Sequence, residues 1–244
     1  MSEPKIPSEL VYSPEERFAN VVMSRNEVSM TNATPAFTYT GNNRVEFRIT
    51  SSNFIDLASL EIYAIISTVL TGGTTTHTAA NATKYIPEGT MSLFSDITLS
   101  SASGTVIEQV SNAQVLGQIV HNLSASPQYL DSVGSFANNQ IQSYERRSAA
   151  GTGVRLRISA HKLLGFLSCG KYVKPSSFGG GLILSLTMAP DSTLGVVHGG
   201  GTAVTSLSLV ILVYDELMVT PAYADLYRQD YESQSFRIGF SSWG

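Results

Sequence analysis

Gly181-Leu182-Ile183-Leu184-Ser185-Leu186-Thr187-Met188 sets Leu182, Leu184, Leu186 and Met188 on one face of an extended chain and Ile183, Ser185 and Thr187 on the other. A period of two is the mark of a β-strand with one side against a core. Val45-Glu46-Phe47-Arg48-Ile49-Thr50 repeats the pattern over six residues, and so does Gly151–Ser159, where Val154, Leu156 and Ile158 alternate with Arg155, Arg157 and Ser159. Leu57–Leu70 and Ser206–Tyr214 are richer in branched and aromatic residues, as buried strands are. Met91–Leu99 and Thr105–Val110 flank Ser100-Ser101-Ala102-Ser103-Gly104, which reads as a hairpin turn. Leu163–Leu167 is short and apolar, and Phe236–Phe240 hints at one more short strand.

Two helical patches interrupt the strands. Asn112–Leu123 carries Val115, Leu116, Ile119, Val120 and Leu123 as one apolar stripe. Ser126-Pro127-Gln128 opens a second patch, with Tyr129, Leu130, Val133 and Phe136 as its stripe. Both are expected to pack over one end of the sheets. Near the end of the chain Tyr223, Tyr227 and Tyr231 recur at a spacing of four, one face of a short helix over Pro221–Glu232. Thr71–Thr83, Lys171–Phe178 and Asp191–Thr205 read as loops, and the first and last are expected at one end of the molecule.

Strands do not alternate regularly with helices, and no Gly-rich βαβ unit appears, which disfavours an α/β fold. The pattern predicts an all-β protein: an antiparallel, eight-stranded jelly-roll β-sandwich with short helices inserted between strands. Residues 1–35 read as an N-terminal arm, and residues 36–244 as the jelly-roll domain. Ser13-Pro14-Glu15-Glu16 carries the signals of a helix start and predicts a short helix over Pro14–Met23. The arm is either a loose terminus or a segment that orders against a neighbouring subunit.

Composition narrows the function. Charged residues make up 14% of the 244 residues, against the usual share of about 25%. The net charge is −4 and the basic residues are scattered, Arg146-Arg147 being their only adjacent pair. Strong nucleic-acid binding needs clustered Lys and Arg and is not expected. The single cysteine, Cys169, permits no intrachain disulfide. The opening MSEPKIPSEL lacks the apolar core of a secretion signal. No run reaches the roughly 18 apolar residues that would span a membrane. Glycosylation-type triplets at Asn32, Asn81 and Asn122 read as chance matches in a Ser/Thr-rich chain.

The search for chemistry returns no catalytic, cofactor-binding or metal-ligating residue. His77, His121, His161 and His198 do not share a metal-ligand spacing, and a solvated or structural role is preferred for each. Cys169 follows an apolar run and reads as an inert, buried thiol. Gly199-Gly200-Gly201 lacks the Lys-Ser/Thr of a phosphate loop. Gly179-Gly180-Gly181 suits a tight reversal or a close approach before a strand. Glu15-Glu16 suits a helix start and Asp215-Glu216 a strand exit. Arg155 and Arg157 either meet acids on another subunit or are solvated.

The order of segments from residue 92 onward is similar to that of one known family. Ser92-Leu93-Phe94-Ser95-Asp96-Ile97-Thr98-Leu99, Gly104-Thr105-Val106-Ile107-Glu108 and the helix begun by Asn112-Ala113-Gln114-Val115-Leu116 resemble the first jelly roll of double-jelly-roll major capsid proteins. Those proteins build the adenovirus-like shells of polinton-like viruses and virophages. The resemblance continues through His161–Leu167, Gly170–Pro175 and Phe178–Leu186, and ends with Val213-Tyr214-Asp215-Glu216-Leu217 leading into the tyrosine series. It implies a non-enzymatic subunit that assembles with copies of itself and with other capsid proteins. Trimers are favoured, pentamers are the alternative, and the virion is the expected location. Complete members are roughly twice this length, so the chain is either a single-jelly-roll relative or the first half of a longer protein.

Two other readings compete. A viral receptor- or carbohydrate-binding β-sandwich would use exposed aromatics, for which Trp243 and the Tyr223 series are the candidates. An enzyme on a cupin-like scaffold would need clustered histidines, and the four here fall mostly in expected loops and helices.

Overall fold

The computed structural model describes residues 22–29, 36–71, 83–85, 93–124, 154–159, 164–197, 202–221 and 238–242. The expected helices over Pro14–Met23, Ser126–Phe136 and Pro221–Glu232 fall wholly or mainly outside them.

Eight strands have six residues or more: β1 (Val22–Ser29), β3 (Arg44–Ile49), β5 (Glu61–Thr71), β7 (Phe94–Ser101), β8 (Val106–Ser111), β9 (Val154–Ser159), β11 (Leu182–Met188) and β13 (Thr202–Met218). Five are short: β2 (Ala36–Thr38), β4 (Phe54–Asp56), β6 (Thr83–Tyr85), β10 (Tyr172–Val173) and β12 (Gly195–Val197). Two helices, α1 (Ala113–Ser124) and α2 (Asp191–Leu194), lie between strands.

The smaller main sheet runs β3-β11-β7-β8. The larger has seven strands, β13 pairing with β1, β2, β4 and β5, yet it is only four strands wide. Leu212 pairs with Val28 of β1 and with Ile62 of β5, so those strands flank opposite edges of β13. Glu216 pairs with Ser24 of β1 and with Ile55 of β4, which puts β4 in line with β5. Ser206 pairs with Thr38 of β2 and Ser67 of β5, which puts β2 in line with β1. β9 and β10 likewise share the outer column beyond β5 and β4.

Numbered by chain order among themselves, the eight long strands run 1-8-3-6 in one sheet and 2-7-4-5 in the other. Strand 1 therefore pairs with 8, 2 with 7, 3 with 6 and 4 with 5. One long antiparallel ladder is rolled up, and successive pairs fall in alternate sheets. That is the expected jelly roll. Its innermost pair is β7–β8, joined at the turn foreseen at Ser100–Gly104. There the Ser101 N–H donates to the Thr105 carbonyl over 2.8 Å and Gly104 takes φ +93°.

The core lies between the sheets. In the small sheet Leu184 stands directly opposite both Phe47 and Leu99, and Leu186 opposite Val45 and Ile97. All six are fully buried. Ile62, Ile66, Leu207, Val210 and Leu212 face them from the large sheet. Each such side chain contributes about 1.5–3 kcal/mol on burial. Gly181 opens β11 at φ +150°, where a Cβ would stand 2.7 Å from the Ile49 carbonyl oxygen. Its own carbonyl accepts from the Ala102 N–H of the hairpin over 2.8 Å, so the glycine run does serve a close approach before a strand.

Several local readings need correction. Residues 22–29 pair along their whole length with β13. Of their inward residues Ser24 and Asn26 are polar and Val28 packs on the core, so no sustained apolar alternation announced the strand. Residues 164–169 form turns, and residues 238–240 are not a strand. Lys171–Phe178 contains β10 and a 3₁₀ turn, and Asp191–Thr205 contains α2, β12 and the start of β13. α1 forms as expected, but only part of its apolar stripe turns inward. Ala113 is fully buried and Leu116 packs on the core, whereas Val115 and Ile119 are each 51% exposed. Small residues at Ala113 and Gly117, a turn apart, line the side of α1 that is buried. The two long loops do meet where they are described: Thr71, at the start of the first, pairs with Thr202, near the end of the second, and β6 pairs with β12.

Candidate functional site

The outer face of the large sheet carries the densest chemistry among the described residues. Arg25 on β1 lies opposite Asp215 on β13, with 4.0 Å between guanidinium and carboxylate. Its other nitrogen donates to Glu61 Oε2 on β5 over 3.0 Å. Arg157 on β9 donates to Glu61 Oε1, and the Tyr63 hydroxyl donates to Glu61 Oε2 over 2.9 Å. The Glu61 carboxylate thus ties β5 to β1 and β9, and Arg25 brings in β13 through Asp215. Glu61 is only 8% exposed. Burial alone pushes its pKa up, but the hydrogen bonds from Arg157 and Tyr63 and the two positive charges outweigh this, and the carboxyl sits below its ordinary value. Burial and then the hydrogen bond to Glu61 raise the Tyr63 hydroxyl.

Beside this cluster β13 carries a bulge. Ser208 pairs with Ile65 and Ile211 with Tyr63, so Leu209 and Val210 together oppose Ala64. The extra residue reverses which positions face inward: Thr205 and Leu207 are buried before it, Val210, Leu212 and Tyr214 after it. Leu209 occupies the left-handed region at φ +47°, rare for a bulky side chain, and is 72% exposed. It stands at a depression of about 450 Å³ that is also lined by Arg25, Glu27, Tyr63, Ile65 and Ile211.

Two further carboxylates act as clamps. Glu108, 4% exposed, accepts from the backbone N–H groups of Gly165 and Phe166 over 3.0 and 2.9 Å. Residues 238–242 lie on the same turn. Phe240 meets Phe166 edge-on at 5.5 Å, and a Cβ at Gly165 would stand 1.6 Å from the Ser241 carbonyl oxygen. Glu216 accepts from Ser51 and Asn26, joining β13 to β1 and to the turn before β4. Burial and then the Glu216 charge raise the Tyr214 hydroxyl.

The sequence candidates are only partly brought together. Arg157 meets an acid of its own chain, and Arg155's side chain lies outside the described residues. Asp215 and Glu216 sit inside β13, not at its exit, and Asp215 points to the outer face. Cys169 is partly buried against the core. His77, His161, His198, Gly199–Gly201, the Tyr223 series, Trp243, Asn32 and Asn81 fall outside the described residues, as do the side chains of His121 and Asn122. Among the described residues no three His, Cys, Asp or Glu form a group that could hold a metal. No helix among them is long and apolar enough to cross a membrane. Sequence reasoning missed Glu61, Arg25 and Leu209, because only strand register brings the first two together and only the bulge turns the third outward.

No protein-family model and no curated protein sequence matches the chain. Solved structures do. The Faustovirus major capsid protein superposes with a TM-score of 0.57 over 92% of this chain and 58% of its own, at 11% identity. The chain has the jelly-roll fold of a viral major capsid protein. A quasi-atomic model of the PBCV-1 virus capsid gives a TM-score of 0.48 at 16% identity, over 89% of this chain and 46% of that one. The Sputnik virophage structure gives 0.44 at 12%, over 91% and 54%. The fold comparison rests on the Faustovirus protein. The chain spans about half the length of these structures, from 46% to 58%.

Proposed function

We propose that the chain is a structural subunit of a virus capsid, a jelly roll that self-associates into capsomers of an icosahedral shell. The observation that carries the reading is the Faustovirus superposition, which covers 92% of this chain. The physical features agree with it. A rolled sandwich is rigid, its loops supply contacts, and low charge limits repulsion among packed copies. Its work is assembly, not catalysis. Its partners are other copies, as trimers in preference to pentamers, together with other capsid proteins, and its place is the virion. Residues 36–244 make up the jelly-roll domain, to which residues 22–29 of the N-terminal arm add a strand. Sedimentation and electron microscopy of the purified chain test this. Trimers or shell-like particles are expected, and a monomer at every concentration without particles would overturn it.

A further inference from the structure

We propose that β1 is an acid-released strap: protonation of the carboxylates that hold Arg25 and Asn26 frees residues 22–29 from β13 while the rest of the sandwich stays folded. The device is internal to the subunit and does not depend on how copies assemble. β1 is bound differently from the strands around it. None of residues 23–29 is fully buried, and of these only Val28 packs on the core. By contrast β5 buries Ile62 and Ile66, and β11 buries Leu182, Leu184, Leu186 and Met188. Among the described residues β1 pairs with β13 alone, so a single ladder of backbone hydrogen bonds holds it. Among the same residues its side-chain ties to other strands end on carboxylates. Arg25 reaches Glu61 on β5 and Asp215 on β13, and Asn26 donates to Glu216 on β13. A strand with little apolar area to lose, held by charge, opens before one held by packing.

The direction of the effect follows from what surrounds Glu61. Arg25 reaches it from β1, Arg157 from β9 and Tyr63 from its own strand. Asp215 on β13 and Glu27 on β1 share its side of the sheet, Glu27 in the same row across Val213. Burial opposes ionisation of Glu61, and the hydrogen bonds from Arg157 and Tyr63 and the charges of Arg157 and Arg25 outweigh it. When β1 leaves, Arg25 leaves with it, so the released form takes up a proton more readily than the closed one. Falling pH therefore shifts the balance toward release, below the ordinary carboxylate value of 4.5. Glu216 faces Asn26, Ser51 and Tyr214, and its protonation weakens the charge-assisted bond from Asn26 in the same direction. The packing of Leu182, Leu184 and Leu186 does not titrate.

The test is hydrogen exchange of the purified chain, read by mass spectrometry as protection factors for residues 22–29 and for β11, from neutral pH down into the acid range. β1 is expected to lose its protection at a pH where β11 keeps its own. Arg25→Gln takes the charge from the strap and leaves the acids in place. It should lower the protection of β1 at neutral pH by about fivefold or more. Arg157→Gln separates titration from plain packing. It leaves Arg25 on Glu61, so β1 stays protected at neutral pH, and it removes a charge that keeps Glu61 ionised, so release should move to higher pH. Loss of protection in β1 and β11 together at one pH would overturn the proposal. So would an Arg25→Gln chain that exchanges like the natural one, or release at an unchanged pH in Arg157→Gln. Should Arg25→Gln fold poorly, the natural chain and Arg157→Gln decide.

Discussion

Gly165 has no room for a side chain. A methyl group there would collide with the Ser241 carbonyl, which is backbone and cannot swing aside. Gly165→Ala should therefore expel residues 238–242 from the Phe166 turn, at a cost of about 1–3 kcal/mol. Urea unfolding would show the loss, and limited proteolysis would show earlier cleavage near the C-terminus. Glu108 makes a related prediction. Its two oxygens accept one backbone N–H each, and glutamine keeps only one acceptor oxygen. Glu108→Gln should cost about 1–3 kcal/mol, because a buried N–H loses its partner. Leu209 runs the other way. Its backbone is strained and its side chain lies mostly in solvent, so Leu209→Asn should leave the stability of the isolated subunit unchanged or raise it by up to about 1 kcal/mol.

At the scale of the element, strand pairing is reinforced by charge across the large sheet and by packing across the small one. The Glu61 cluster links β1, β13, β5 and β9, and its contribution depends on ionisation. Glu61 has a folded pKa below its ordinary 4.5. The unfolded chain therefore takes up the proton first as the pH falls. The stabilisation is complete above that value and is lost as the pH drops through the lower folded value. Thermal melts across this acid window should show a decline that Glu61→Gln makes shallower. Glu61→Gln should also lower stability at neutral pH. β11 depends on packing instead, since Leu184 is buried between Phe47 and Leu99. Leu184→Ala should cost about 2–5 kcal/mol in chemical unfolding.

For the whole molecule, the nested order decides what depends on what. β13 is the longest strand and receives β1 and β2 on one edge and β5 and β4 on the other. Removing residues 1–30 would strip β1 and leave a long free edge along Ile211–Met218. Free edges pair with whatever strand they meet. The truncated chain should lose stability and scatter light on standing, so a defect in assembly after this deletion would reflect damage to the subunit itself. The roll also places its first long strand beside its last, which makes folding depend on contacts distant in sequence. Refolding in stopped flow should be slow, on the scale of milliseconds to seconds or longer.

Much of this was written in local pattern. The alternation in Val45–Thr50 and Gly181–Met188 set two core strands and their inward faces, because a period of two needs only neighbouring residues to be expressed. The hairpin at Ser100–Gly104 and the absence of any βαβ unit placed the chain among antiparallel sandwiches, and the order of segments after residue 92 suggested the jelly roll. Other features had no local signature. β1 shows polar Ser24 and Asn26 beside Val28 on its inward side, and it is a strand because β13 offers it an edge. On α1 Ala113, Leu116 and Gly117 turn inward while Val115 and Ile119 of the apolar stripe stay exposed, which the stripe alone did not foretell. Arg25, Glu61, Arg157 and Asp215 are far apart in the chain and meet only through register. The outward turn of Leu209 exists because one extra residue in β13 lets both halves of that strand bury their apolar positions. Short-range periodicity is a property of the sequence, whereas register, bulges and shared edges are settled between strands, and it is these that built the outer face.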